Sequence, residues 1–170
     1  MQFAKRLDNV ETSAIRELFK LLGKPGIISF AGGFPDSAMF DVAGIQEAAN
    51  KALTDNPGLA LQYGATEGFG PLREQLAAFM ATKGAKDVYA DNLIVTTGSQ
   101  QALDLLGKCM ISPGDKVIVE GPTFLATIQC FRLYGAEVIS APVDSDGVIV
   151  DELERLIAEH QPKLVYLIPT

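Results

Sequence analysis

From residue 93 to the last residue, apolar runs and helical patterns take turns at a spacing that few folds accommodate. Residues 93–96 (Leu-Ile-Val-Thr) form a short apolar, β-branched run, and helical periodicity follows over 100–110. The turn Ser112-Pro113-Gly114-Asp115 leads to a strand at 116–120, a helix at 123–134 and a strand at 137–141. An amphipathic helix at 151–159 and a last strand, KLVYLIPT at 163–170, complete the series. Such alternation predicts right-handed βαβ units: an α/β fold with a mainly parallel sheet and helices on both faces. Ligands of these sheets lie at the carboxyl ends of the strands. Here those ends carry Thr97-Gly98-Ser99-Gln100, Glu120-Gly121-Pro122-Thr123-Phe124 and Pro169-Thr170.

The first of these ends is the most informative. An apolar run breaks at Thr97-Gly98-Ser99, and a helix follows with Leu103, Leu106 and Met110 on one face. A tight strand–Gly–Ser–helix junction leaves the first backbone N–H groups of the helix free, backed by the positive end of its dipole. That arrangement seats a phosphate, with Gly98 letting the backbone approach and the Ser99 hydroxyl adding a donor. The same residues also describe an ordinary capped helix after a strand.

Ahead of residue 93 the pattern is helical and loop-rich. Residues 10–22 read as a helix capped by Thr12 or Ser13, with Ile15, Leu18, Phe19 and Leu22 as its apolar stripe. A short extended piece at 27–30 opens into a long Gly- and Pro-bearing loop at 31–41, AGGFPDSAMFD, and long ordered loops of this kind are often functional. Helices follow over about 42–54 and from Pro71 to a stop at Gly84. Gly64, Gly68 and Gly70 lie between them without a leading strand or the GxGxxG spacing, so a dinucleotide site is unsupported. The expected division is an N-terminal helix and loop at 1–41 and the N-terminal part of a large, ligand-binding α/β domain, incomplete, at 42–170.

Composition narrows the partners. Hydrophobic residues make up 48% and charged residues 21%, which is globular, and the net charge of −7 with no basic cluster argues against nucleic acid and anionic membranes. Cys109 and Cys130 read as buried free thiols, and His160 as a lone surface histidine without metal-binding company. With no secretory h-region and no apolar run of membrane-spanning length, the expected location is the cytoplasm. The chain stops at the end of a predicted parallel strand, on the ligand side, which reads as the front of a longer protein.

Five spaced motifs agree in order: AGGFPD, QYGATEGFGPLR, VTTGSQQALDLL, PGDKVIVEGPTF and VYLIPT. Together they resemble the fold-type I pyridoxal-phosphate aminotransferases of class I and II, over nearly the whole chain. Within that class the likeness is to the branch handling 2-aminoadipate, aromatic and branched-chain amino acids. The resemblance implies pyridoxal 5'-phosphate as cofactor, its phosphate held at Gly98 by the N–H groups of Ser99 and Gln100. It places Phe124 where relatives stack an aromatic ring, often Tyr, on the pyridine face; as an ordinary aromatic it would be core. It matches Tyr63 to a tyrosine that crosses a homodimer interface to the partner's phosphate, although a loop tyrosine can pack on its own subunit. Gly33 corresponds to a glycine whose backbone meets the substrate α-carboxylate, although a turn also favours glycine there.

Ser13 and Arg16 match residues on a helix over the active site that meet the substrate side chain, where a guanidinium offers a fork to a distal carboxylate. An exposed arginine there also fits plain solvation or pairing with Glu11. The family's Schiff-base lysine, ring-nitrogen aspartate and carboxylate-binding arginine lie downstream of the last strand, and none of the nine lysines here has the Schiff-base context, so no catalytic residue is assigned. The implied reaction is amino transfer between an amino acid, glutamate or 2-aminoadipate or an aromatic or branched-chain one, and a 2-oxo acid. The same scaffold also serves lyases and decarboxylases, and the cofactor-binding sensor module of a transcription regulator.

Overall fold

The computed structural model describes residues 2–7, 33 and 35–169. The predicted helix at 10–22 and the extended piece at 27–30 fall outside the described residues. The chain divides into two compact units, Thr12–Val95 and a second formed by Met1–Glu11 with Thr96–Thr170.

In the Thr12–Val95 unit the described elements are helices. Helix α1 spans Val42–Asp55 and starts where the Asp41 carboxylate accepts the Gly44 N–H at 2.9 Å. A short helix α2, Pro57–Leu61, lies between the two predicted helices, with Pro57 at its first position. Helix α3 spans Gly70–Thr82, again with proline in its first turn. The Arg73 guanidinium donates to the carbonyl of Ala90 at 2.9 Å, tying α3 to a 3-10 turn at Ala90–Asn92.

Residues 93–96 are not a strand. They run extended, as their β-branched side chains favour, but join no ladder among the described residues. Val95 instead donates its N–H to the Glu67 carbonyl at 2.8 Å and packs on Gly68, where a Cβ would come within 2.7 Å of the Val95 side chain. An extended run becomes a strand only when a neighbour takes its backbone groups, and here a loop takes them.

The second unit is the sheet. Its strands are β1 (Lys116–Gly121), β2 (Glu137–Asp144), β3 (Gly147–Val148) and β4 (Leu164–Tyr166), in the order β3-β2-β1-β4. β1 pairs in parallel with β2 and β4, and β3 adds a short antiparallel edge to β2. Helices α4 (Ser99–Met110), α5 (Leu125–Leu133) and α6 (Val150–His160) cover it.

Strand β1 is buried on both sides, which its unbroken Val117-Ile118-Val119 run requires. Val117 and Val119 pack with Leu103 of α4 and with Cys130 and Phe131 of α5. Ile118 packs with Ala141 of β2 and Leu156 of α6 on the opposite face. The predicted α/β architecture, a mostly parallel sheet with helices on both faces, is present.

Three further local expectations fail. The last strand ends at Tyr166, because Ile168 gives its N–H to the buried Glu120 carboxylate at 3.0 Å instead of to a neighbouring strand. The inward face of α4 is Leu103 with Gly107, while Leu106 and Met110 are exposed. Cys109 is exposed, since it follows Gly107 by two residues and points away from that face; Cys130 is buried as expected.

Candidate functional site

The predicted phosphate seat is an open helix end. Gly98 is the N-cap of α4 at φ 78° and ψ 172°, a backbone region that is essentially reserved for glycine. A Cβ there would meet nothing within 4 Å, so the backbone angle and not crowding demands the glycine. Gln101 accepts the Thr97 N–H on its Oε1 at 2.5 Å, and Gly98 gives its own N–H to the Thr96 carbonyl at 2.9 Å. No side chain caps the helix. The first-turn N–H groups of Ser99, Gln100 and Gln101 therefore face outward from an exposed helix end with the dipole behind them.

Phe124 is the N-cap of α5 and stands half-exposed at 48%, on the loop that leaves the carboxyl end of β1. It is not a core aromatic. Just before it, the Thr123 hydroxyl is buried without a hydrogen-bond partner, and so is that of Thr127 one turn on. Glu120, at the end of β1, is buried and holds Ile168. The sequence places Glu120 and Thr123 at a ligand-side strand end without giving either a role, and it gives none to Gln101. Gln101 alone carried a local signal, since Gln at the third helical position commonly reaches back to a backbone N–H at the helix start.

Helices α4 and α5, which begin at Ser99 and just after Phe124, are joined lower down. Tyr134, the C-cap of α5, donates its hydroxyl to Asp104 at 2.5 Å, and Lys108 donates to the same carboxylate at 2.6 Å. Those bonds, from Lys108 first and Tyr134 second, hold the Asp104 carboxyl below its ordinary range. The Asp104 partner in turn raises the Lys108 ammonium and the Tyr134 hydroxyl. Burial pushes the Cys130 thiol up, away from the reactive thiolate.

The remaining predicted residues are scattered. Tyr63 belongs to the Thr12–Val95 unit and is 98% exposed. Gly33 is exposed, with open space where a Cβ would stand. Ser13 and Arg16 lie outside the described residues. Among the described residues no His, Cys, Asp and Glu group could hold a metal ion, and no helix is long and apolar enough to cross a membrane.

The profile of the family "Aminotransferase class I and II" matches residues 26–168, most of the chain and all of the sheet. The chain belongs to the class I and II aminotransferases. It is 39% identical over 168 residues to the 2-aminoadipate transaminase of Thermus thermophilus, covering 99% of this chain and 41% of that protein. It is 41% identical over 173 residues to aromatic-amino-acid aminotransferase 1 of Thermococcus litoralis, covering 99% of this chain and 42% of the relative. Among solved structures it matches the α-aminoadipate aminotransferase of T. thermophilus, complexed with N-(5'-phosphopyridoxyl)-L-leucine, with a TM-score of 0.83 and 39% identity over 98% of this chain and 40% of that one. The chain thus spans about two fifths of the length of these aminotransferases and corresponds to their N-terminal part.

Pyridoxal 5'-phosphate, a phosphate ester on a flat pyridine ring, is the cofactor of this aminotransferase class. The residues present fit such a group. The α4 start offers free N–H donors at an open glycine, Phe124 offers an uncovered aromatic ring, and Thr123 offers a buried hydroxyl without a partner.

Proposed function

We propose that the protein, over its full length, is a pyridoxal-phosphate aminotransferase that moves an amino group between an amino acid and a 2-oxo acid. The observation that carries this reading is the uncapped, exposed start of α4 at Gly98, within a chain whose family uses that cofactor. When bound, the cofactor supplies an electrophilic carbonyl and a ring that draws electrons from the substrate α-carbon. The Ser99 and Gln100 N–H groups hold the phosphate, and the Ser99 hydroxyl adds a bond to it. Phe124 would stack on the pyridine face and fix the orientation of the ring. It does so without the hydroxyl that a tyrosine would bring.

Tyr63 serves the neighbouring site of a two-fold homodimer, a role its near-complete exposure leaves open to it. Gly33 brings its backbone to the substrate α-carboxylate. Ser13 and Arg16 receive the substrate side chain, so that acidic donors, glutamate or 2-aminoadipate, bind through the guanidinium and aromatic or branched ones are tolerated. The preference for this branch is supported by its relatives, which act on 2-aminoadipate and on aromatic amino acids by name.

Ser99→Asp tests the phosphate seat. A carboxylate in the first turn suits the helix dipole, so folding survives, but it repels the phosphate. The full-length protein should bind pyridoxal phosphate at least about tenfold more weakly, as like charges at a binding site dictate. Affinity within twofold of the parent would remove the cofactor from α4. For the substrate class, Arg16→Ala should raise KM for 2-aminoadipate and glutamate by about tenfold and leave leucine unchanged, the loss of a charge-assisted fork. Equal effects on both substrates would return Arg16 to the solvated surface.

A further inference from the structure

Tyr134 joins two helices at a place the predicted cofactor site does not reach. Its ring lies on Gly107 of α4, where a Cβ would come within 2.6 Å of ring carbon Cε2. No side chain other than glycine's leaves room for the ring. The hydroxyl then reaches one turn back along α4 to Asp104. A phenol donating to a carboxylate makes a charge-assisted hydrogen bond, stronger than one between neutral groups.

Lys108 closes the other oxygen of Asp104, so each carboxylate oxygen has its own donor, one from α4 and one from the end of α5. The core on the same side, Leu103 with Cys130 and Phe131, presses the two helices together next to this clip. Tyr134 and Phe124 are the two caps of one nine-residue helix, while Asp104 and Gly107 share α4 with Ser99 and Gln100. A change of angle at the clip therefore shifts the Phe124 ring relative to the first N–H groups of α4.

We propose that Tyr134, seated on Gly107 and bonded to Asp104, is a positioning residue that sets where Phe124 stands against the α4 N-terminus. The inference rests on the cofactor reading above for its consequence, but the clip itself can be tested without cofactor. Tyr134→Phe keeps the ring on Gly107 and removes only the hydroxyl. Asp104→Asn keeps a carbonyl oxygen to accept it, and Asp104→Ala removes the acceptor.

In the full-length protein, hydrogen exchange without cofactor should quicken about tenfold along α4 in Tyr134→Phe and Asp104→Ala, with α6 unaffected, as local opening is independent of distant helices. Pyridoxal phosphate should bind about fivefold to tenfold more weakly to both, with an altered circular dichroism of the bound ring, and Asp104→Asn should recover most of each loss. The double variant Tyr134→Phe/Asp104→Ala should be no worse than either single one, because both remove the same bond.

Unchanged exchange in α4 would overturn the clip. Quickened exchange with unchanged affinity and an unchanged ring signal would make Tyr134 structural only and overturn its positioning role. If the parent protein fails to bind pyridoxal phosphate, the proposed function falls, and the exchange arm still decides whether the clip exists.

Discussion

The two units solve the problem of apolar surface differently. In the sheet unit, Val117, Ile118, Val119 and Phe131 are almost wholly inaccessible, and layers of helix close both faces of β1. In the Thr12–Val95 unit no described residue is buried. Phe79 is 58% exposed, Leu61 76% and Ile45 69%, although α1 and α3 carry as many apolar residues as α4 and α5. Helical periodicity marks a face that wants cover without saying what supplies it. In the sheet unit the cover comes from the same unit, while α1 and α3 leave their apolar faces open among the described residues.

The largest expected contrast is between two phenylalanines. Phe131→Ala empties a site that is 2% exposed and should cost about 3–5 kcal/mol, read as a fall in the urea midpoint of unfolding. Phe79→Ala should change stability by no more than about 0.5 kcal/mol, the usual effect of a substitution on an open surface. A Phe79 effect as large as that of Phe131 would mean that α3 is packed in the full-length protein, and it would break the contrast.

A smaller effect separates two polar ties. Glu120→Ala leaves the Ile168 N–H without its acceptor beside a buried carboxylate site and should cost about 1–3 kcal/mol. Arg73→Ala frees the Ala90 carbonyl at a part-buried position and should cost about 1 kcal/mol, because water replaces the donor more easily. Equal losses in thermal unfolding would show that the two ends are equally closed to solvent.

The smallest effect is electrostatic. Lys108 and Tyr134 depress the Asp104 carboxyl, so the folded state binds its proton less readily than the unfolded chain does. That stabilisation is complete above the ordinary carboxylate range near pH 4 and is lost as pH falls through the lower folded value. Asp104→Asn should therefore lower the neutral plateau of a stability–pH curve slightly and leave its acid end unmoved, so that the acid limb flattens. An unchanged acid limb would show that the carboxylate has no more company when folded than when unfolded. The Lys51–Asp55 pair of α1, with side chains 75% and 57% exposed, should leave the urea midpoint of unfolding nearly unmoved when Asp55 is replaced by Asn.

Much of the sheet unit was legible in the sequence. A continuous apolar run such as Val117-Ile118-Val119 is costly anywhere but a central parallel strand, and the alternation with helices leaves one handedness for the connections. The break at Thr97-Gly98-Ser99 foretold a helix start, and Gly98 indeed takes a conformation open to little else. The order of five motifs marked the class I and II aminotransferases, which the family match bears out.

Other features were settled by contacts distant in sequence. Residues 93–96 have strand composition, but Glu67 and Gly68 take the groups that a ladder would have used. The run at 164–168 is hydrophobic, yet it leaves the sheet after Tyr166 because Glu120, 48 residues before Ile168, captures the Ile168 N–H. The inward face of α4 was misjudged because Gly107 adds nothing to a hydrophobic pattern, and its value lies in the space it leaves for Tyr134. Local composition and periodicity follow from the preferences of each residue and its near neighbours, and the chain carries those in its own order. Which backbone groups pair, and which face a ring settles on, depends on residues dozens of positions apart, and only their meeting in the folded chain decides it.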